Sequence, residues 1–423
     1  MDKEGDSMKR LVSIMLAVCI AASSLLLFGC GKNFTGPYAS QLEAASRLSS
    51  LKNDDKSQMV TFYESYNRKE YLPLEDQPAL VLNIKNIKKV DEAVERVKEE
   101  FAGLDVPWLV VEDFEDLVLE DLKDNDFASL GISITKRTGP DITFHYSPPI
   151  DEIDNLTRLC PVNIPDDDAA DYGELPDIEE LILHNELYWL EKCPNVERLH
   201  VIANPSSVFD ILTDPSKVIL IPSLKEITVD DSSLGKAVAY ALCMDNPQIA
   251  TVNGEDADGY DFTNGLEGSS LERFDQAVLR YKADRIDLSG FTQIDPDDAV
   301  LHGAVTVVGY NGAEEASQYN SLSRYLTEDE LSHISRTGDL GDTVIRLTTE
   351  KQVDGGYSDG RASYELSVYM EVIDLQNRTV TERTRIQRNS GSAVISNGTG
   401  SRSGQFSVER FCGTLSELMA KSY

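Results

Sequence analysis

The nonapeptide Leu175-Pro176-Asp177-Ile178-Glu179-Glu180-Leu181-Ile182-Leu183 recurs as Cys193-Pro194-Asn195-Val196-Glu197-Arg198-Leu199-His200-Val201 and as Ile221-Pro222-Ser223-Leu224-Lys225-Glu226-Ile227-Thr228-Val229. Weaker copies occupy Ile153 to Pro161, Asn246 to Gly254 and Ala283 to Leu288. The first five starts, at residues 153, 175, 193, 221 and 246, stand 22, 18, 28 and 25 residues apart. Each full copy ends in an aliphatic-x-aliphatic triplet, which reads as a short strand burying alternate side chains on one face. A unit this small cannot cover its own apolar face, so neighbours must stack above and below it. That requirement constrains the middle of the chain more than any other feature.

The period and the Leu-x-x-Leu-x-Leu spacing resemble the leucine-rich repeat family, whose units run about 20–29 residues. The resemblance implies an α/β fold with a sheet on the concave side and helices on the convex side. Asn204 falls at the family's buried asparagine, whereas Glu186 and Ser232 stand there in the flanking copies. With the uneven spacing, this makes the expected array irregular. An ordinary α/β domain with similar strand-entry turns is the alternative. The resemblance places Glu180, Ile182, Arg198, His200, Glu226, Thr228, Arg285 and Asp287 on the concave face as candidate binding residues.

Other segments read from periodicity. Ala79 to Ile84, Trp108 to Val111 and Ile132 to Ile134 look like strands, and Val90 to Phe101 has helical period. Gly235 to Met244 and Leu271 to Tyr281 read as convex helices, and Ser321 to Ile334 as a linker helix. Tyr364, Leu366, Val368, Met370 and Val372 alternate with polar residues; a turn at Gln376-Asn377-Arg378 and a return strand from Thr379 to Gln387 complete a hairpin. Asn389 to Gly404 reads as a Gly/Ser loop, and Phe406 to Ala420 as an amphipathic helix with Cys412 inward. The expected fold class is therefore α/β: an irregular leucine-rich-repeat-like solenoid over 151–310, an N-terminal α/β cap region over 59–150, a linker helix over 311–340 and a small C-terminal α+β domain over 341–423.

At the N-terminus, Lys9-Arg10 precede the apolar run Leu11 to Phe28, which ends in Leu27-Phe28-Gly29-Cys30. This resembles a bacterial lipoprotein export signal over residues 1–29. The resemblance implies removal of that segment and acylation of Cys30, with two acyl chains providing stable anchoring. Phe28 is bulkier than the family's usual residue there, and an uncleaved membrane anchor is the alternative. Asp2, Glu4 and Asp6 oppose the basic start, so Met8 competes with Met1 as the initiator. Residues 30–58 read as the lipidated cysteine and a flexible tether spanning about 30 Å, with a short helix over Leu42 to Leu51 as the alternative for that stretch.

Lys and Arg number 39 and Asp and Glu 73, for a net charge of −34. A surface this acidic repels phosphate backbones and argues against nucleic acid and against basic-patch adhesion to anionic lipid. Cys160, Cys193, Cys243 and Cys412 show no CxxC, which argues against zinc. Two disulfides and four isolated thiols both suit an extracytoplasmic chain.

No catalytic motif is present. Ser49-x-x-Lys52 and Ser233-x-x-Lys236 have the spacing of a serine–lysine pair but lack its companion motifs. The five histidines show no metal-ligand spacing. Asp256, Asp258 and Asp261 form a weak calcium candidate without an EF-hand pattern; Asp166-Asp167-Asp168 and Asp295-Pro296-Asp297-Asp298 are similar acidic turns. No cofactor is expected. The functional expectation is an exported, lipid-anchored bacterial surface protein that binds another protein without catalysis through its repeat face, held to the cell membrane by Cys30. The alternatives are an extracytoplasmic hydrolase acting on wall or glycan, and a structural envelope component.

Overall fold

The computed structural model describes residues 34–69, 71–135, 150–162, 173–184, 189–202, 220–310, 312–335, 338–356, 362–389, 402–403 and 405–423. The segment expected to be an export signal, Cys30, His145, Asp166 to Asp168, Glu186, Asn204 and most of the 389–404 loop lie outside the described residues.

Ten strands form the first sheet: β1 (Val60–Tyr66), β2 (Gln77–Leu82), β3 (Asp105–Val111), β4 (Ser129–Thr135), β5 (Leu156–Val162), β6 (Glu180–His184), β7 (Arg198–Ile202), β8 (Glu226–Val229), β9 (Thr251–Val252) and β10 (Glu255–Asp256). Their order in the sheet is their order in the chain. β2 to β9 run parallel, and β1 and β10 close the two edges antiparallel.

The repeated peptide explains this order. Each copy opens with a tight turn in which the fourth residue's amide donates to the first residue's carbonyl: Ile178 to Leu175, Val196 to Cys193, Leu224 to Ile221 and Ile249 to Asn246. The residue after the turn then reaches back one repeat. Glu179 N–H donates to Thr157, Glu197 to Glu179, Lys225 to Glu197 and Ala250 to Lys225, at 2.8, 2.8, 2.9 and 2.8 Å. Polar side chains inside the turns repeat the pattern, Asn195 donating to the Pro176 carbonyl and Ser223 to that of Pro194. With the turns stacked, Leu181, Leu199, Ile227 and Val252 fall in register and are buried in one core.

Helices cover that face: α1 (Ala39–Arg47), α2 (Val90–Phe101), α3 (Glu115–Asp121), α4 (Trp189–Lys192), α5 (Ser233–Asp245) and α6 (Ser269–Asp284). Val90, Ala93, Val94, Val97 and Phe101 of α2 are fully buried, as the helical period of this segment requires. Among the described residues no helix is long and apolar enough to cross a membrane.

The second sheet is mixed. It holds β11 (Thr292–Ile294), β12 (Val305–Tyr310), β13 (Thr343–Gly356), β14 (Ala362–Asp374), β15 (Thr379–Thr381), β16 (Thr384–Asn389) and β17 (Arg402–Ser403). β13 and β14 form a long antiparallel pair; β12 lies parallel to β13, and β15, β16 and β17 share the other edge of β14. Helices α7 (Tyr319–Leu322), α8 (Glu328–Ser332) and α9 (Val408–Ser422) complete this unit. Phe411, Cys412, Leu415 and Met419 of α9 pack with Met370 and Val372 of β14, as the two periodicities require.

Several expectations are corrected. Residues 34–58 are no free tether in the structure: Ala44, Leu48 and Leu51 are buried in the first core, and Gln41 donates to the Asp105 carbonyl. In the 59–150 segment, β1 to β4 continue the same sheet as the repeat strands. The copy at Ala283 to Leu288 is no strand; it is the end of α6 and the 3-10 turn after it. Residues 292–310 belong to the second sheet, so the first unit ends before 310. In place of one linker helix stand a 3-10 turn, α7 and α8, which bury Leu322, Leu326, Leu331 and Ile334 in the second core.

Helix α6 is the wall shared by the two units. Phe274, Ala277, Val278 and Tyr281 enter the first core, whereas Leu279 and Ala283 pack with Val308, Tyr310, Val344 and Ile373 of the second sheet. Charged groups are buried along this wall. Tyr310 donates to Asp284 Oδ1 at 2.7 Å, and Arg346 donates to the Ala283 carbonyl and pairs with Glu371 at 3.2 Å. Burial pushes the Asp284 carboxyl up to about 7, against the Tyr310 hydrogen bond and the Arg346, Arg285 and Arg280 guanidiniums. The fold therefore keeps a proton that the unfolded chain releases near the ordinary carboxylate value, so this contribution to stability is lost as pH rises through about 7. We expect the melting temperature to fall between pH 5 and pH 8, and Asp284→Asn to flatten that fall; a fall of equal size in both proteins would refute this role.

Candidate functional site

Side chains on a strand alternate between faces, so burying Leu181 and Leu183 turns Glu180 and Ile182 to the opposite side. The same holds for Arg198 and His200 around Leu199, and for Glu226 and Thr228 around Ile227. Register then builds two rows across the sheet. One runs Arg158, Glu180, Arg198, Glu226 and Thr251; the other runs Ile182, His200 and Thr228. The first row alternates in charge, and opposite charges on neighbouring strands attract.

Glu180 is the centre of this arrangement. Arg198 Nε stands 3.2 Å from its Oε2 and His200 Nε2 stands 3.2 Å from its Oε1. Burial pushes the Glu180 carboxyl up, but His200 and Arg198 together outweigh it and hold the carboxyl below its ordinary value. His200 Nδ1 is buried and has no hydrogen-bond partner among the described residues. Arg158 continues the row in the other direction. It reaches across Gly131 to pair with Asp105 and donates from Nε to the Pro107 carbonyl at 3.1 Å. A Cβ at Gly131 would collide with that same carbonyl oxygen.

The open surface is narrower than the repeat pattern predicts. Ile182 is fully buried, so its assignment to a binding face is corrected. It belongs to a second apolar cluster with Trp108, Val110, Cys160 and Val162, which Tyr66 at the end of β1 and Leu72 in the segment after it join. Ser133 Oγ donates to the Tyr71 carbonyl and ties that segment down. The face is therefore covered over β2 to β6. Arg198, His200, Glu226 and Thr228 remain as a polar strip over β7 and β8, with the Arg198 side chain 37% and the His200 side chain 22% exposed.

Arg285 and Asp287 do not join this strip. Arg285 pairs with Asp245 through Nε at 3.0 Å and also through Nη2, and its guanidinium lies 3.8 Å from the Tyr281 ring centre. It thereby locks the end of α5 to α6. Asp287 Oδ1 accepts from Ser289 N–H and caps the 3-10 turn.

The calcium candidate is also corrected. Asp256 Oδ1 accepts from Asp258 N–H and Asp261 Oδ1 from Thr263, so each carboxylate holds its own turn. Among the described residues no three His, Cys, Asp or Glu side chains converge as a metal site. The four cysteines are unpaired thiols, which decides between the alternatives left open by their spacing. Burial pushes Cys160 and Cys193 up to about 12 and Cys243 and Cys412 up to about 11, so they stay protonated and unreactive at neutral pH. Lys236, the lysine of one serine–lysine spacing, donates to the Asn264 carbonyl.

Sequence reasoning missed the cavity beside Lys236 at the end of β8. A signal was present: Lys236 is the one charged residue in the run Ser233 to Met244. No family model, no curated protein and no solved structure matches this chain.

The depressed Glu180 carboxyl contributes stability at pH values above its ordinary range, and that contribution is lost as pH falls through its folded value. Glu180→Gln should lower the unfolding free energy by about 1 kcal/mol at pH 7. Denaturant titrations of both proteins should converge as pH falls through the depressed folded value of this carboxyl; a gap independent of pH would show that the carboxylate charge is immaterial.

Proposed function

We propose that this chain is an exported bacterial envelope protein, anchored through acylated Cys30, that binds another protein without catalysis on the polar strip of its first sheet. Its first unit is, on this reading, an irregular leucine-rich-repeat-like solenoid. Support for the solenoid comes from parallel strands that follow one another in chain order and from the backbone ladder between successive turns. Stacked repeats of this kind present one continuous face, and such faces suit protein ligands.

The observation that carries the binding role is the Glu180–Arg198–His200 cluster. Glu180 holds Arg198 and His200 from the neighbouring strand, and both keep an exposed edge beside exposed Glu226 and Thr228. Neither Arg198 nor His200 enters the apolar core, so the cluster is dispensable for packing that face. Preorganised charge of this kind lowers the ordering cost of binding and favours a partner with complementary charges. The strongly acidic surface would steer a partner bearing basic patches towards it.

The soluble chain from residue 31 onward, without the acylated Cys30, should retain a specific protein from bacterial envelope extract. The double variant Arg198→Ala/His200→Ala should lose that protein while melting within a few degrees of the wild type. Equal capture by the variant would place binding elsewhere, and no capture by either would remove the binding role. In cells, Cys30→Ser should release the protein from the membrane fraction; retention would sink the lipid anchor.

A further inference from the structure

At the carboxyl ends of β8 and β9 lies a cavity of about 500 Å³, bordered by Lys236 of α5 and by the loop between β10 and α6. This volume is within the roughly 300–1,000 Å³ of small-molecule sites. Its chemistry is polar and divided by depth.

Lys236 forms the inner part. Its side chain is 6% exposed, and Nζ donates to the Asn264 carbonyl. An ammonium has three donors, and that carbonyl takes one of them. The carboxylate within ion-pair reach, Asp231, is 4.0 Å away and 95% exposed, so solvent screens it. A buried cation so weakly compensated is costly unless something in the cavity accepts its remaining hydrogen bonds.

The outer part has the opposite sign. Asp231, Glu255 and Asp261 line the cavity and are exposed. Between the two, Asn253 accepts from Val229 N–H at 2.8 Å and donates to Tyr260 Oη at 3.2 Å. The phenol hydrogen of Tyr260 is thereby left to donate to something else. Three carboxylates disfavour a simple anion, while the buried ammonium disfavours a simple cation. A molecule carrying both charges meets neither obstacle.

We propose that this cavity binds a small zwitterion, a free amino acid or short peptide, with its carboxylate on Lys236 and its ammonium among Asp231, Glu255 and Asp261. The cavity adjoins the polar strip at Thr228, but Lys236 and Glu255, on which its test turns, are not part of the strip, and failure of the protein-binding role would leave the zwitterion test unchanged.

Isothermal titration calorimetry on the full chain provides the test. The probes are L-alanine and L-alanyl-L-alanine, with N-acetyl-L-alanine and L-alaninamide as single-charge controls and glucose as a neutral polyol. We expect a zwitterion to bind, and each single-charge control to bind at least about tenfold more weakly. Lys236→Met should weaken zwitterion binding by a similar factor without lowering the melting temperature, because an apolar side chain replaces a poorly paired charge. Glu255→Gln, at an exposed position, is the second variant and should weaken the zwitterion but not N-acetyl-L-alanine. Absence of zwitterion binding up to about 10 mM would overturn the proposal. So would equal affinity for glucose or a single-charge control, or zwitterion affinity unchanged in Lys236→Met or Glu255→Gln.

Discussion

One backbone hydrogen bond, repeated, organises the first unit of this protein. It runs from the amide after each turn to the carbonyl of the equivalent residue one repeat earlier, through Thr157, Glu179, Glu197, Lys225 and Ala250. Because it is made at the entry to each strand, it sets the register of the strand that follows. Register then decides both faces at once. Leu181, Leu199, Ile227 and Val252 align towards the helices, and Glu180, Arg198 and Glu226 align on the other side. A slip of one residue would exchange these sets and bury the charges. The candidate binding surface is thus a consequence of the same ladder that builds the core.

A second constraint comes from α6, which is buried on two sides. A helix in that position has little surface for polar groups, yet α6 carries Arg280 and Asp284, both buried. Tyr310 and Arg346 of the second sheet meet Asp284 and the neighbouring Ala283 carbonyl there. Breaking one partner of such a buried group is more damaging than replacing the group with apolar atoms. The joint between the units is therefore specific in geometry and sensitive to protonation.

Much of this was legible from residue patterns, and the failures have physical causes. The strong copies of the repeat fold as strands because their aliphatic spacing and turn residues agree. The copy at Ala283 to Leu288 fails because it lacks the turn: Ala283 and Asp284 end α6, and Leu288 opens a 3-10 turn. The hairpin pattern around Tyr364 to Val372 and the final helix hold, but β13, the main partner of β14, went unrecognised. Ile182 was misplaced because its cover, Tyr66 and Leu72, lies more than a hundred residues earlier in the chain, and periodicity carries no information about such a contact. Residues 34–58 looked like a tether because their composition is small and polar; the few apolar positions Ala44, Leu48 and Leu51 suffice to dock them. Of the site, the trio Glu180, Arg198 and His200 follows from alternation and register alone. Lys236 did not, because its place depends on how α5 packs beside the loop after β10.

The account rests on a single stacked sheet that extends from β1 to β10. Native-state hydrogen–deuterium exchange at the amides of Glu179, Glu197, Lys225 and Ala250, compared with those of β2 to β4, tests it most directly. We expect both groups to be protected and to open together, at the same denaturant concentration, as one cooperative unit. Independent opening of the 60–135 strands, with the later ladder still protected, would contradict it.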